Sequence, residues 1–566
     1  PHLISRIENG IGKVQRITFD TSANMQARDA AEGVTWLYPL PSPMQVVSRL
    51  EVWEKVTENA QGIPDMVDVT DYRYHHGFYD GEEKQFRGYA LVEQFSEGDD
   101  YESPGRVATY YDVGAPDPSR SHHAYWNGKM LRQEKYAGID LDGDGTISDT
   151  EMGTDKNGNG TIEAAEIDVP VDIVVKTYEE CSVNLDVNDG DKGCSALGVI
   201  GQPSLSGTDL NFDGANEVVL VVEEVKSETI VKEGLDKTLP ALSKSSQMWA
   251  YLKVQKTYDG YGNQVYFEDF GDERVSGDET FKFGKFISPG PSTGGRWIVG
   301  RNYESYFAGE PLANVVAGQL PVLKGSLPRL YRHSRTYFDG LDELGKLTKG
   351  FMTKGEVLQD KKVSDTGVIE PDERWITTGE TAYDHHGNAV VVTNNLGRKR
   401  GYKYDADHIR ATESFLELEN NKYLCRKVAF DQQWFNVDWG TGLGMGSGTV
   451  DFDGLDQLSC NASLETVRRY TYDEFGRMID YRAAGDTQAR KKYEYRLGID
   501  GRRSEIVTRR RTKMGEPWDL EDVQCFDGRS RKYQTLSKLR DAEGNDSHYF
   551  ASGFKVFNAK SKAVRV

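Results

Sequence analysis

Asp140, Asp142, Asp144, Thr146, Ser148 and Glu151 stand at positions 1, 3, 5, 7, 9 and 12 of one twelve-residue stretch. Five of these positions offer side-chain oxygen, Thr146 offers its backbone carbonyl, and Gly145 allows the sharp turn between them. A hard divalent cation with six to eight oxygen ligands requires that spacing. A second copy starts at Asp155, where Asp155, Asn157, Asn159, Thr161, Glu163 and Glu166 take the same positions. A shorter third stretch offers Asp209, Asn211, Asp213, the Ala215 carbonyl and Glu217, and runs into the apolar segment 218–222. The cofactor these three stretches call for is Ca2+.

The first two stretches follow the EF-hand loop pattern, yet only residues 152–154 separate them. That leaves no room for an exiting and an entering helix, so the opening motion of a calcium sensor is not expected. A structural pair of ions stiffening a long excursion is. The third stretch resembles the calcium loop of integrin-type β-propeller repeats. Residues 184–190 share its composition, but the glycine falls at the wrong offset and a plain turn is expected there.

No set of residues converges on catalysis. The chain contains no Gly-x-Ser-x-Gly, no His-Glu-x-x-His and no P-loop. Its histidine pairs, His75–His76, His122–His123 and His385–His386, would point to opposite faces if they lie on strands, which suits packing and turns better than a shared metal. Five cysteines in 566 residues are too few for a disulfide scaffold. Cys181 and Cys194 are near enough in sequence for a local bridge, whereas Cys425, Cys460 and Cys525 are expected as buried free thiols. The reading is a protein that is not an enzyme.

The net charge of −21, from 69 basic and 90 acidic residues, argues against nucleic acid as a partner, since phosphates select a basic stripe. The basic run Arg509–Lys513 is read as a solvated strip. Mean hydropathy is −0.63, and no apolar run reaches the ~20 residues of a membrane helix, so direct membrane insertion is not expected. Fifty-nine glycines, 11% aromatics and alternation such as Arg49-Leu-Glu-Val-Trp53 favour strands over helices. The fold class expected is all-β. The N-terminus carries no secretory signal pattern, and the chain reads as a piece of a longer polypeptide.

One local unit recurs. Thr381-Ala-Tyr-Asp-His-His-Gly-Asn388 is a strand ending in Tyr-Asp, then a turn with Gly387 where positive φ is needed, then an apolar strand. Tyr258-Asp-Gly-Tyr-Gly-Asn263 and Tyr470-Thr-Tyr-Asp-Glu-Phe-Gly-Arg477 repeat it, and Phe338-Asp-Gly340, Phe452-Asp-Gly454 and Phe526-Asp-Gly528 are worn versions. A repeated strand–turn–strand unit that cannot bury its own apolar face implies a continuous stacked sheet.

These units resemble the tyrosine–aspartate repeat of the Rhs family. The wider chain is similar to the B component of bacterial insecticidal toxin complexes, through Ile4–Val14, Pro41–Val47, Tyr72–Gly81, Phe86–Glu93, Trp126–Glu134, Gly345–Gly350 and Trp375–Thr378. The resemblance implies a spiralling antiparallel β-sheet shell of Rhs/YD-repeat type, with residues 1–135 and 251–566 as shell and 136–250 as an inserted calcium-loop segment. Within it, Tyr258, Tyr383, Tyr404 and Tyr472 would set strand register and carry no chemistry. The implied function is a non-enzymatic shell segment that encapsulates a cargo polypeptide or toxin. Its partners would be other shell or toxin subunits and that cargo, and it would be secreted or at the cell surface. The competing reading is a secreted, calcium-stabilised adhesion or filament-forming protein. The ADP-ribosyltransferase residues and the self-cleaving end found in some relatives have no counterpart here.

Overall fold

The computed structural model describes residues 3–54, 66–98, 103–118, 123–138, 153, 162, 167–184, 218–232, 249–258, 262–287, 293–294, 296, 298–309, 330–358, 375–418, 422–431, 436–441, 444–447, 460, 467–498, 503–540, 546–557 and 562–565. Twenty-nine of its strands belong to one antiparallel sheet, and Val556–Phe557 pairs with Ala563–Arg565 in a separate hairpin. The all-β expectation is met. The alternation that suggested it is plain in Trp375–Tyr383, where every second residue is exposed.

The chain divides into two units. One holds Thr18–Arg49 and Thr70–Thr378. Its strands form a meander in which Gln85–Ser96, Gly105–Tyr111, Met130–Ala137, Pro170–Asn184, Val218–Lys232 and Trp249–Tyr258 each pair with the next. Ile173, Ile230, Trp249 and Tyr251 stack across these strands as a buried cluster. The one α-helix among the described residues, Ser22–Ala31, lies in this unit. It begins because the Thr21 side chain accepts from the Asn24 amide (3.3 Å). Ser22, Met25 and Asp29 form its buried face, and Met25 packs with Trp36, Val46 and Tyr89.

The other unit holds Pro1–Ile17, Leu50–Val69 and Gly379–Val566. Ala389–Asn394, Lys399–Tyr404, Ala411–Leu418 and Lys422–Phe430 run as successive hairpins. Farther on, Arg468–Tyr472 through Asp546–Ser552 do the same. Val437–Gly440 joins the two series by pairing with both Lys422–Phe430 and Arg468–Tyr472.

One sequence expectation fails here. Cys425 and Cys460 are not free thiols but a disulfide, with Cα atoms 5.6 Å apart, inside a buried cluster with Phe415 and Tyr423. Spacing along the chain could not show this. The partners are 35 residues apart and meet only because the chain returns to the strand that carries Cys425. Cys525 is free and buried as expected, and burial pushes its thiol pKa up. The Cys181–Cys194 pairing lies outside the described residues.

Candidate functional site

The recurrent Tyr-Asp corner is one hydrogen-bonded device used repeatedly. At Asp384 the carboxylate accepts from the amides of His386 (2.9 Å) and Asn388 (2.8 Å), and Gly387 sits at φ +92°. Asp473 accepts from Phe475 and Arg477 (2.9 Å each), with Gly476 at φ +71°. Asp405 accepts from Ile409 (2.8 Å) and Arg410 (3.2 Å), although here His408 takes the left-handed position at φ +55°. Asp527 repeats it with Arg529 (3.0 Å) and Arg531 (2.8 Å). The Ile409 amide heads the interactions that hold the Asp405 carboxyl below its ordinary pKa.

Three tyrosines reach back to the corner before their own. Tyr404 donates its hydroxyl to the Ala389 carbonyl (3.0 Å), Tyr472 to Val437 (2.8 Å) and Tyr495 to Met478 (3.0 Å). In each case the acceptor is the first residue after the preceding corner. Tyr258 donates instead to Glu224 (3.2 Å). The bonds of Tyr404 and Tyr472 fix register between strands, which is the role the resemblance implied for them.

Three features of the corners were missed in the sequence. The last residue of one corner can donate sideways to the next: Asn388 Nδ2 to the His408 carbonyl (2.8 Å), and Asn436 Nδ2 to Gly476 (3.1 Å). Asn9 forms an equivalent corner with Ile11 and Lys13 (3.0 Å each) and donates to Gly528 (2.8 Å). The signal was present, as an Asx residue four before the corner's end, but Asn9 has no tyrosine ahead of it. Asp339, in a worn copy, captures the amides of Thr348, Lys349, Gly350 and Phe351 instead.

The histidine pairs divide. His75 is buried between Asp29 (2.7 Å) and Glu93 (3.1 Å), while His76 accepts from the Leu37 amide (3.3 Å). The opposite-faces argument fails for His385 and His386. Both lie in the corner rather than on a strand, their ring centroids are 3.7 Å apart, and His408 of the next corner stacks on His386 at 4.0 Å. His122 lies outside the described residues. No group of His, Cys, Asp or Glu among the described residues is arranged to hold a metal.

The calcium ligand sets themselves, Asp140 to Glu151, Asp155 to Glu166 and Asp209 to Glu217, lie outside the described residues. Two contacts frame the second set. Gly153 and Ile167 form an antiparallel bridge. Ile167, fully buried, packs with Ala108 and Tyr136, and Ile162 packs against the same cluster.

Residues 1–117 match the family model described as the insecticide toxin TcdB middle/N-terminal region. No curated protein matches the chain. Among solved structures, the TcdB2–TccC3 complex superposes with a TM-score of 0.64 at 13% identity, covering 99% of this chain and 31% of that one. The same complex without its hypervariable C-terminal region gives 0.63 at 12%, over 100% and 33%. The Photorhabdus luminescens Tc holotoxin pore gives 0.66 at 11%, over 100% and 32%. This is therefore a protein with the toxin-complex shell fold. The resemblance to the toxin B component read from the sequence holds, and the chain spans about a third of the length of the solved chains it matches.

Proposed function

We propose that this chain is a non-enzymatic wall segment of a toxin-complex-like protein, and that the wall encloses a polypeptide cargo. The observation that carries the reading is the fold match over essentially the whole chain, joined to corners whose polar groups are consumed in holding strands together. The TccC3 and holotoxin assemblies of the matched structures support other toxin subunits as partners. The Cys425–Cys460 bridge supports an oxidising, extracellular setting. A low-resolution density map of the full-length protein tests the wall. A broad sheet around empty volume is the expected result, and compact filled domains would overturn it.

The inserted segment is the calcium-dependent part of this wall, with Asp140, Asp155 and their partner ligands as the site. Supporting that are the two complete ligand patterns and the anchoring of Ile162 and Ile167 beside the second. A ligand that binds only the folded state stabilises it. EGTA should therefore lower the melting temperature and open residues 138–168 to protease. A melting curve and cleavage map that ignore EGTA would remove calcium from the account.

A further inference from the structure

Four consecutive strands, Gln264–Asp272, Thr280–Phe286, Asn302–Ala308 and Leu330–Phe338, are aromatic on both faces. On one face Tyr266, Phe283, Tyr306 and His333 stand opposite one another in register. Tyr306 and His333 are buried, and Tyr306 stacks on the His333 ring at 4.0 Å. That face is core. The other face carries a second row in the same register, Phe267, Lys282, Phe307 and Arg332, and packing of the core does not account for it. Lys282 Nζ lies over the Phe267 ring at 5.2 Å and the Phe307 ring at 5.8 Å, so the cation is held between two aromatic faces. Lys282 and Arg332 are exposed, and among the described residues neither forms an ion pair.

This row lines a trough of about 420 Å³, whose lining also includes Gly284, Phe286 and Asn302. Among the described residues that line it there is no Asp or Glu. Charge and shape together select the occupant. Carboxylates satisfy the two cations, which stand two strands or roughly 10 Å apart, the span of three residues of extended chain. Apolar side chains pack against the exposed parts of the phenyl rings on either side of Lys282.

We propose that this trough binds an extended acidic polypeptide segment through Lys282 and Arg332, with Phe267 and Phe307 taking its apolar side chains. The inference deepens the shell reading, on which it rests for the occupant being polypeptide.

The test uses a fluorescein-labelled peptide of four Glu-Leu-Ser repeats and a matched Lys-Leu-Ser peptide, titrated against the full chain by anisotropy. The expected result is binding of the acidic peptide alone, weakened by salt. Lys282→Glu with Arg332→Glu should weaken it by about tenfold or more, at unchanged melting temperature. Lys282→Gln should give an intermediate loss. Equal binding of both peptides, or charge reversal without effect, would overturn the proposal. So would binding that appears only after the carboxylates of residues 140–166 are neutralised, which would make this chain's own insertion the occupant. A filled rather than hollow density map would sink the shell reading while leaving the peptide titration intact, so the two failures are separable.

Discussion

Glu54→Ala is expected to cost the unit that contains it about 3–5 kcal/mol, the usual consequence of removing one partner from a buried charge cluster. Glu54 is fully buried. Its carboxylate meets Arg531 Nη2 and lies 3.4 Å from Arg529 Nε, while Asp527 takes Arg531 Nε at 2.6 Å. Arg529 Nη2 also donates to the Val52 carbonyl at 3.2 Å. These contacts join positions 477 residues apart, so they fasten the strand Gln45–Glu54 to the corner at 527–531. The neighbouring contact is equally close. A Cβ on Gly528 would come within 2.6 Å of the Gly12 carbonyl carbon, so backbone meets backbone there. Taking away Glu54 leaves two mostly buried guanidiniums facing a single carboxylate.

The same group predicts a pH slope. Burial first, and the facing Asp527 carboxyl second, push Glu54 up to about 7, against the pull of the two arginines. An acid whose pKa rises on folding holds its proton more tightly in the native state. Its contribution is therefore greatest below the ordinary glutamate range near 4.3 and declines as pH climbs through about 7. Glu54→Gln should flatten that decline. Urea unfolding of wild type and Glu54→Gln at intervals from pH 5 to 8 provides the check, and parallel slopes would rule this group out as their source.

The contrast between what could and could not be read in advance follows the range of the interactions. The corners at Asp384 and Asp473 were legible because donor, acceptor and glycine all lie within five residues. Strand identity was legible from alternation for the same reason. The Cys425–Cys460 bridge, the Asn9–Gly528 link and the Glu54–Arg531 pair depend on which distant strands become neighbours, and no local pattern encodes that. His385 and His386 show a subtler limit. The rule of opposite faces holds for extended chain, and the corner that places them was itself predicted, yet the rule was applied as though they lay on the strand. The trough escaped notice because its four residues come one from each of four strands, and only register assembles them.

The buried histidine of the other unit predicts a destabilisation of similar size. Asp29, fully buried on the helix Ser22–Ala31, accepts from Trp36 Nε1 at 2.6 Å and pairs with His75 Nδ1 at 2.7 Å. His75 Nε2 faces Glu93 at 3.1 Å, and Arg106 Nε donates to the other oxygen of Glu93 at 2.9 Å. Burial alone would lower the His75 pKa, but Glu93 and Asp29 together outweigh it and the net shift is upward. Glu93 moves the other way, to about 2, because His75 and Arg106 overcome its own burial. A raised histidine stabilises fully below its unfolded pKa near 6.5 and loses that contribution as pH rises through the folded value. A depressed glutamate stabilises above its ordinary range near 4.3 and loses it as pH falls toward about 2. Both contributions are present together between roughly pH 4.5 and 6.5, and stability should peak there. Asp29→Ala leaves His75 Nδ1 and the indole N–H of Trp36 buried without their partner, and is expected to cost about 3–5 kcal/mol. Hydrogen exchange over residues 22–31 should rise with it, since the helix loses its polar anchor to the sheet. Asp29→Asn keeps an acceptor for Trp36 but not the charge beside His75. Its stability should therefore fall less than that of Asp29→Ala, and its decline above pH 6.5 should be shallower than that of wild type. An alkaline limb in Asp29→Asn as steep as that of wild type would show that the Asp29–His75 pair does not govern it.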